Sequence, residues 1–81
     1  MSRYLRFILV RDTGKTQVYE VVSAGRGTIL GCISWYGPWR QYIFEFEKNT
    51  IWNKDCLREL AEYLERLMAH RKLRVELEEL L

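Results

Sequence analysis

GCISWYGPWRQYIF, residues 31–44, is the stretch that decides the fold of this chain. Bulky hydrophobic side chains lie on both sides of Gly37-Pro38, a dipeptide typical of turns. The stretch therefore predicts two strands joined by one turn, the first from Thr28 to about Tyr36 and the second from Trp39 to Phe46. We expect the two strands to pair antiparallel.

A turn of two or four residues predicts that Trp35 pairs with Arg40 and Ile33 with Tyr42, which separates the side chains into two faces. The more aromatic face, which we expect to receive a helix, ends at Arg40 and contains Ile29, Ile33, Trp35, Tyr42, Phe44 and Phe46. The opposite face contains Leu30, Cys32, Tyr36, Trp39, Gln41 and Ile43.

The region before this hairpin has the pattern of another hairpin. Branched and aromatic residues run from Tyr4 to Arg11 and from Thr16 to Val22, and the turn-forming residues 12–15 separate them. Four strands in meander order result. This first hairpin is apolar on both sides, with Leu5, Phe7 and Leu9 predicted on one face and Ile8, Val10, Tyr19 and Val21 on the other.

A helix signal follows the strands. Asn53 is a good N-cap, Asp55 places negative charge in the first turn, and Trp52 precedes the cap, where it is expected to pack on Leu57. The apolar stripe predicted to face the sheet is Leu57, Leu60, Ala61, Leu64, Leu67 and Met68. The residues predicted on the solvent side are Arg58, Glu59, Glu62, Glu65 and Arg66.

Beyond His70 the apolar stripe changes phase, and one straight helix cannot bury both stripes against the same sheet. Either the chain breaks within residues 69–72 and a second helix packs differently, or the helix continues and offers its second stripe to a partner or a second copy. A strand is a third option, because apolar and charged residues alternate in residues 73–77. We favour a helix, because residues 76–80 are good helix formers. The second stripe, a predicted interface, is Leu73, Leu77, Leu80 and Leu81.

The predicted fold is α+β: a four-stranded antiparallel meander packed against one C-terminal helix, with a helical C-terminal extension. We expect residues 1–70 to form the domain and residues 71–81 to form the extension, which we interpret as an association segment. Since one helix covers only one face of a sheet, the other face is closed by curling into a partial barrel, by the C-terminal segment, by self-association or by a partner. We expect a homo-oligomer.

Length and charge limit the classes of function. The 81 residues suffice for one small domain, and 13 basic against 11 acidic side chains leave a net charge of +2, too balanced to indicate a polyanion partner by itself. No apolar run approaches the roughly 20 residues of a membrane span, and the start of the chain lacks a signal peptide. We therefore expect a cytoplasmic protein without membrane contact. Cys32 and Cys56 lie far apart in sequence and are expected to be reduced thiols.

Catalytic chemistry has little support. His70 is the only histidine and lies beside Arg71 and Lys72, where a solvated surface role is expected. The scattered carboxylates form no pair suited to acid–base catalysis, and two cysteines with one histidine make a poor metal site. The glycines of residues 24–27 have the wrong spacing for a dinucleotide motif. The sequence predicts no enzyme, no metal and no cofactor.

The aromatic cluster is the better candidate site. Its predicted ligand-binding residues are Trp35, Tyr36, Trp39, Arg40, Tyr42 and, from the preceding loop, Arg26. Rings can stack on bases while guanidinium groups meet phosphate, which suits single-stranded nucleic acid or a nucleotide. The alternative is that Trp35 and Tyr42 are core. The basic run in residues 69–74 is interpreted as a solvated helix face, because three glutamates follow within residues 76–79.

The pattern G-x-I-x-W-Y-x-P-W-R-Q-Y-x-F of residues 31–44, with residues 49–52 and the helix start at Cys56-Leu57, resembles a group of small uncharacterised proteins of bacteriophages and prophages. This resemblance implies an accessory protein that binds nucleic acid, captures a nucleotide or inhibits a host protein. We therefore predict a non-enzymatic module that binds nucleic acid or a nucleotide through the aromatic cluster. The alternative is a protein-interaction module or an inhibitor of a host defence or replication protein, which uses the same aromatics and the second leucine stripe.

Overall fold

The computed structural model describes residues 4–80 and shows one four-stranded sheet and one long helix. The strands follow one another across the sheet in chain order, and all neighbours are antiparallel. The elements are β1 (Leu5–Asp12), β2 (Gln17–Ser23), β3 (Ile29–Tyr36), a 3-10 turn (Gly37–Trp39), β4 (Gln41–Phe46) and α1 (Lys54–Leu80). The predicted α+β fold, an antiparallel meander packed against one C-terminal helix, is confirmed.

The core lies between α1 and one face of the sheet, which we call the inner face; the opposite face is the outer face. One side chain from each strand and one from the helix are buried together, namely Leu5, Val21, Ile33, Tyr42 and Leu60. Burial of one such apolar side chain stabilises a fold by roughly 1.5–3 kcal/mol. Five of them make a small core, so the partly buried rings around it matter for stability.

A β-bulge at Val10 reverses the faces predicted for the first hairpin. Before the bulge, Phe7 lies opposite Val21 and Leu9 opposite Tyr19. The extra residue shifts the register by one position, and such a shift moves a strand segment to the other face. Tyr19 and Val21 therefore share the inner face with Phe7 and Leu9, and the prediction that placed them on opposite faces is wrong.

A second bulge changes the start of β3. Val21 lies opposite Gly31 and Val22 opposite Ile29, which leaves Leu30 as the extra residue. Leu30 packs against the core, whereas Ile29 lies on the outer face and is 47% exposed. Both positions are the reverse of the prediction, because strict alternation along a strand cannot anticipate an inserted residue.

The connection between β3 and β4 consists of residues 37–40, four residues centred one position further along the chain than predicted. Trp39 belongs to the 3-10 turn instead of β4, and Arg40 follows in a left-handed conformation with φ of 52°. The Arg40 N–H donates to the Gly37 carbonyl at 3.1 Å. Trp35 consequently lies opposite Tyr42, and the predicted pairing of Trp35 with Arg40 is wrong. A change of two residues keeps side chains on the same face, so the remaining face assignments in β3 and β4 are confirmed.

The start of α1 follows the prediction. The Cys56 N–H donates to the Asn53 side-chain oxygen at 2.8 Å, which confirms Asn53 as the N-cap. The Trp52 ring packs edge-on against Phe44 and Phe46, with centroid distances of 5.3 Å in both cases. Leu57, the expected packing partner of Trp52, is exposed.

The sheet-facing side of α1 differs in part from the predicted stripe. Its inward residues are Cys56, Leu60, Tyr63, Leu64, Leu67 and Met68. Leu57 and Ala61, predicted among them, are exposed. Glu59, predicted on the solvent side, instead accepts backbone hydrogen bonds from Tyr4 at 3.0 Å and Leu5 at 3.1 Å. The helix is therefore rotated slightly from the predicted orientation, toward β1.

The helix continues without a break through residue 80, so neither the predicted interruption within residues 69–72 nor the strand alternative occurs. Of the predicted interface residues, Leu73, Leu77 and Leu80 are exposed on the extension, and Leu81 lies outside the described residues. Within residues 4–80, no helix combines the length and the hydropathy needed to cross a membrane.

Candidate functional site

The helix extension passes the end of the sheet where both hairpin turns lie. A side-chain nitrogen of Arg74 donates to the carbonyl of Gly14 in the turn between β1 and β2. Nearer the sheet, the Tyr42 N–H donates to the Met68 sulfur at 3.4 Å. These contacts hold the basic segment of the helix, which begins at Arg71, against the β1–β2 and β3–β4 turns.

Trp35 is the aromatic centre of this region. The Arg71 guanidinium carbon lies 4.1 Å from the centroid of the Trp35 ring, a cation–π contact. The Tyr42 ring meets Trp35 edge-on, with 5.4 Å between centroids and 79° between planes. The Tyr42 hydroxyl is engaged, because it donates to the Gln17 side-chain oxygen at 3.0 Å and accepts from the Gln17 N–H at 3.2 Å. Tyr42 therefore supports Trp35 from the core.

Tyr36 and Trp39 form a separate aromatic pair just beyond the end of β3. Their centroids are 5.1 Å apart, with an angle of 82° between the rings. Trp39 is 67% exposed, since the 3-10 turn carries it away from the sheet. An exposed indole at this position can accept a stacking partner without any rearrangement of the core.

A groove of about 530 Å³ runs between the end of β3 and the helix extension. We call it the tryptophan groove. Its lining residues are Trp35, Arg40, Met68, Ala69, Arg71, Lys72, Val75, Glu76 and Glu79. Arg71 lies against the indole and Arg40 and Lys72 also line the groove, whereas the two carboxylates lie farther along the helix. An anionic ligand is therefore favoured near the indole and disfavoured toward the helix tip.

The predicted cluster is only partly assembled. Trp35 and Arg40 share the tryptophan groove, and Tyr42 lies behind Trp35. Tyr36, the last residue of β3, lies on the opposite face of the sheet and pairs with Trp39 outside the groove. Arg26 lies in the loop before β3, at the other end of this strand. An eight-residue strand is roughly 25 Å long, so Arg26 is too distant to contact the cluster.

Two groove residues, Arg71 and Lys72, were not among the predicted binding residues. The basic run was interpreted as a solvated face, but Arg71 is half-buried against Trp35. A signal for this placement exists in the sequence. Arg71 follows Leu67 by four residues and Met68 by three, which places all three on one helix face.

Two further cavities adjoin the helix extension. The smaller, about 200 Å³, is lined by Lys15, Arg71, Arg74, Val75 and Glu78, so it adds two cations to the basic end of the molecule. The larger, about 720 Å³, lies between the first hairpin and the helix and includes Leu9, Tyr19, Tyr63, Leu67 and Leu73. Its largely apolar lining contrasts with the charged lining of the tryptophan groove.

Asp12, at the end of β1 beside the β1–β2 turn, has a shifted pKa. The Gly14 N–H donates to the Asp12 carboxylate at 2.8 Å, and this bond, helped by Gln17, lowers the pKa of Asp12. Asp12 is thus a turn-stabilising carboxylate with its acceptor oxygen already engaged. Across residues 4–80, we find no group of three or more side chains placed to hold a metal ion.

Comparison with known proteins provides one relative. The chain is 36% identical over 72 residues to a protein described as "Uncharacterized 9.3 kDa protein" from Acholeplasma phage L2. The aligned region covers 88% of this chain and 92% of the phage protein. No family model and no solved structure matches the chain.

Proposed function

Because the chain belongs to the family of small phage proteins that includes this 9.3 kDa protein of Acholeplasma phage L2, we propose that it is a non-enzymatic accessory protein that binds nucleic acid. The ligand is a single-stranded segment or a nucleotide held at the tryptophan groove. The binding residues are Trp35, Tyr36, Trp39, Arg40 and Tyr42, joined by Arg71 and Lys72.

The observation that carries this proposal is the meeting of Arg71 with Trp35 beside Arg40. A nucleotide needs a flat apolar surface for its base and a cation for its phosphate, and the groove offers both within one short surface. The exposed Trp39 ring supplies a second stacking surface on the adjoining turn. Stacking of a base on such a ring contributes roughly 1–3 kcal/mol, which suffices for a weak but measurable complex.

The two carboxylates in the groove orient the ligand. Glu76 and Glu79 lie one to two helical turns beyond Arg71 and Lys72. Phosphate groups are repelled from this end and attracted to Arg40, so we expect the backbone of the ligand to cross the groove on its Arg40 side. Neutralising both carboxylates in Glu76→Gln/Glu79→Gln should strengthen binding.

The test is a tryptophan-fluorescence titration with single-stranded and double-stranded oligonucleotides and a panel of nucleotides, at low and moderate salt. We expect saturable quenching that weakens as salt rises, because phosphate contacts release counterions. Arg40→Ala should weaken binding, and Trp39→Ala should reduce it further.

Arg26→Ala is the matched control, since it removes the same charge from an exposed arginine at the far end of β3. Equal weakening by Arg26→Ala and Arg40→Ala would mean that net charge, not the groove, attracts the ligand. No quenching by any member of the panel would refute nucleic-acid binding. The phage L2 protein, measured in parallel, would show whether the activity belongs to the family.

A second candidate function rests on the helix extension. Leu73, Leu77 and Leu80 are 54%, 53% and 82% exposed, which is unusual for three leucines on one helix face. We infer that this stripe suits a protein partner, such as a host defence or replication protein that the chain inhibits. Leu77→Asp should abolish that complex, whereas Leu57→Asp, at an exposed leucine outside the stripe, should not.

A further inference from the structure

The outer face of the sheet has an apolar centre that α1 does not cover. α1 packs on the inner face, and residues 4–80 form no second helix and no second sheet that could cover the outer one. The apolar residues of this face are Ile8, Val18, Val22, Ile29, Cys32 and Ile43. Ile8 is 41% and Ile29 47% exposed, whereas Val22 is 5% exposed, so the apolar area that faces solvent is provided mainly by Ile8 and Ile29. Four strands at about 4.8 Å spacing make a surface broad enough for a second sheet.

Charge on the outer face is divided between its two edges. Arg6 and Arg11 lie on β1, whereas Glu45 lies on β4 and Glu47 follows it directly. Among the described residues, neither ion pair involves any of these four side chains. The outer face therefore has one basic edge, one acidic edge and a mainly apolar centre that also contains Glu20.

The environment of Cys32 supports this division of charge. Its thiol lies in the row that crosses the sheet from Ile8 through Glu20 to Glu45. Burial raises the pKa of Cys32, and the charges of Glu45, Glu47 and Glu20 raise it further, so both carboxylates of the acidic edge act on the centre of the face. On the neighbouring strand β1, Arg6 and Arg11 lie diagonally on either side of Glu20, and their positive charges offset its negative charge within the same chain.

We propose that the outer face is the interface of a homodimer in which two sheets pack face to face. The twofold axis runs parallel to the strands. This axis places β1 of one copy over β4 of the other at the same height along the strands, so Arg6 faces Glu47 of the second copy and Arg11 lies one row from Glu45 of the second copy. The apolar centres are buried between the sheets, as in a β-sandwich.

The charge pattern selects this axis over the alternative. A twofold axis that crosses the strands would place β1 over its own copy, and the two arginines would face two arginines. With the axis along the strands, both edges meet opposite charge, and each contact occurs twice by symmetry. The helices lie on the outer surfaces of such a dimer, and so the tryptophan groove stays open in both copies, whereas Tyr36 borders the interface at the end of β3.

The experiment is a charge exchange, measured as mass in solution by light scattering and by sedimentation. The wild-type chain should be a dimer at micromolar to submillimolar concentration. Arg6→Glu/Arg11→Glu and Glu45→Arg/Glu47→Arg should each be monomeric, because each makes like charges face each other. An equimolar mixture of the two variants should regain the dimer, because both edge contacts are again between opposite charges.

Glu62→Arg/Glu65→Arg is the control, since it makes the same charge change on exposed positions of the helix and should remain dimeric. Circular dichroism confirms that each variant is folded. A monomeric wild type would overturn the proposal. So would dimers that survive both reversals, and a dimer lost only in Leu77→Asp would assign the interface to the helix extension. Oligonucleotide binding is measured separately, so failure of either proposal leaves the other intact.

Discussion

The Arg71 guanidinium and the Trp35 ring, 4.1 Å apart, join the helix extension to the sheet. A cation–π contact of this kind contributes about 0.5–1 kcal/mol at a partly exposed site. Arg71→Met keeps most of the length of the side chain and removes the charge, so we expect it to lower the free energy of unfolding by about that amount and to shift the tryptophan emission. Lys72→Met, at the neighbouring exposed position, should change neither; equal effects would contradict the contact.

Gly31 has no room for a side chain. A Cβ added there would lie closer than 3.0 Å to the Glu45 carbonyl oxygen and to the Phe44 ring. Because the nearest atom belongs to the backbone of the paired strand, relief requires β4 to move. We expect Gly31→Ala to lower the free energy of unfolding by about 1–3 kcal/mol, measured by urea denaturation. At Gly25 nothing lies within 4 Å of an added Cβ, so Gly25→Ala should stay within about 0.5 kcal/mol of the wild type.

Glu59 ties the helix to β1 through its hydrogen bonds to the Tyr4 and Leu5 N–H groups. A hydrogen bond to a charged group contributes about 1.5–3 kcal/mol to stability. Glu59→Ala removes this acceptor from two backbone N–H donors. We expect a loss of stability in that range and faster amide hydrogen exchange at Leu5. Glu62→Ala removes an exposed carboxylate one turn away and should have little effect. Similar losses for both variants would show that net charge is responsible.

Tyr63 makes stability depend on alkaline pH. Burial raises the pKa of Tyr63 to about 12, and a hydrogen bond with Tyr19 adds to the effect. The unfolded chain loses this proton near pH 10, so between about pH 10 and 12 the unfolded state binds fewer protons than the folded state. The contribution of Tyr63 to the free energy of unfolding should therefore be fully present below pH 10 and decrease as pH rises from about 10 to 12.

Tyr63→Phe tests this assignment, since the stacking of the ring on Phe7, with 3.8 Å between centroids, is kept while the hydroxyl is removed. The free energies of unfolding of the two proteins, measured by denaturant at several pH values, should differ by a constant amount from about pH 7 to 10. As pH rises from about 10 to 12, the wild-type value should fall relative to that of Tyr63→Phe. A constant difference throughout the window would mean that Tyr63 titrates normally in the folded state.

Local signals explain why the secondary structure could be predicted from the sequence. The turn chemistry at residues 12–15 and Gly37-Pro38 separates strands, and Asn53 caps the helix through a bond to a residue only three positions away. Each signal acts within a few residues, so the number, type and meander order of the elements followed from the chain itself. The start of β4 and the choice of an unbroken helix beyond His70, one of three alternatives, did not. That the aromatic segment holds a binding site stays a prediction.

The tertiary structure decided which side chains meet. The bulges at Val10 and Leu30 each shift the register by one position and move neighbouring residues to the opposite face. A bulge forms where the extra residue allows distant side chains to pack, as when Leu30 joins the core, and this gain depends on atoms from other elements. The partnership of Arg71 with Trp35 and the separation of Arg26 from the site have the same origin. The sequence by itself determined the elements, because their signals are local. Packing decided the faces and the candidate site, because it depends on contacts between residues far apart in the chain.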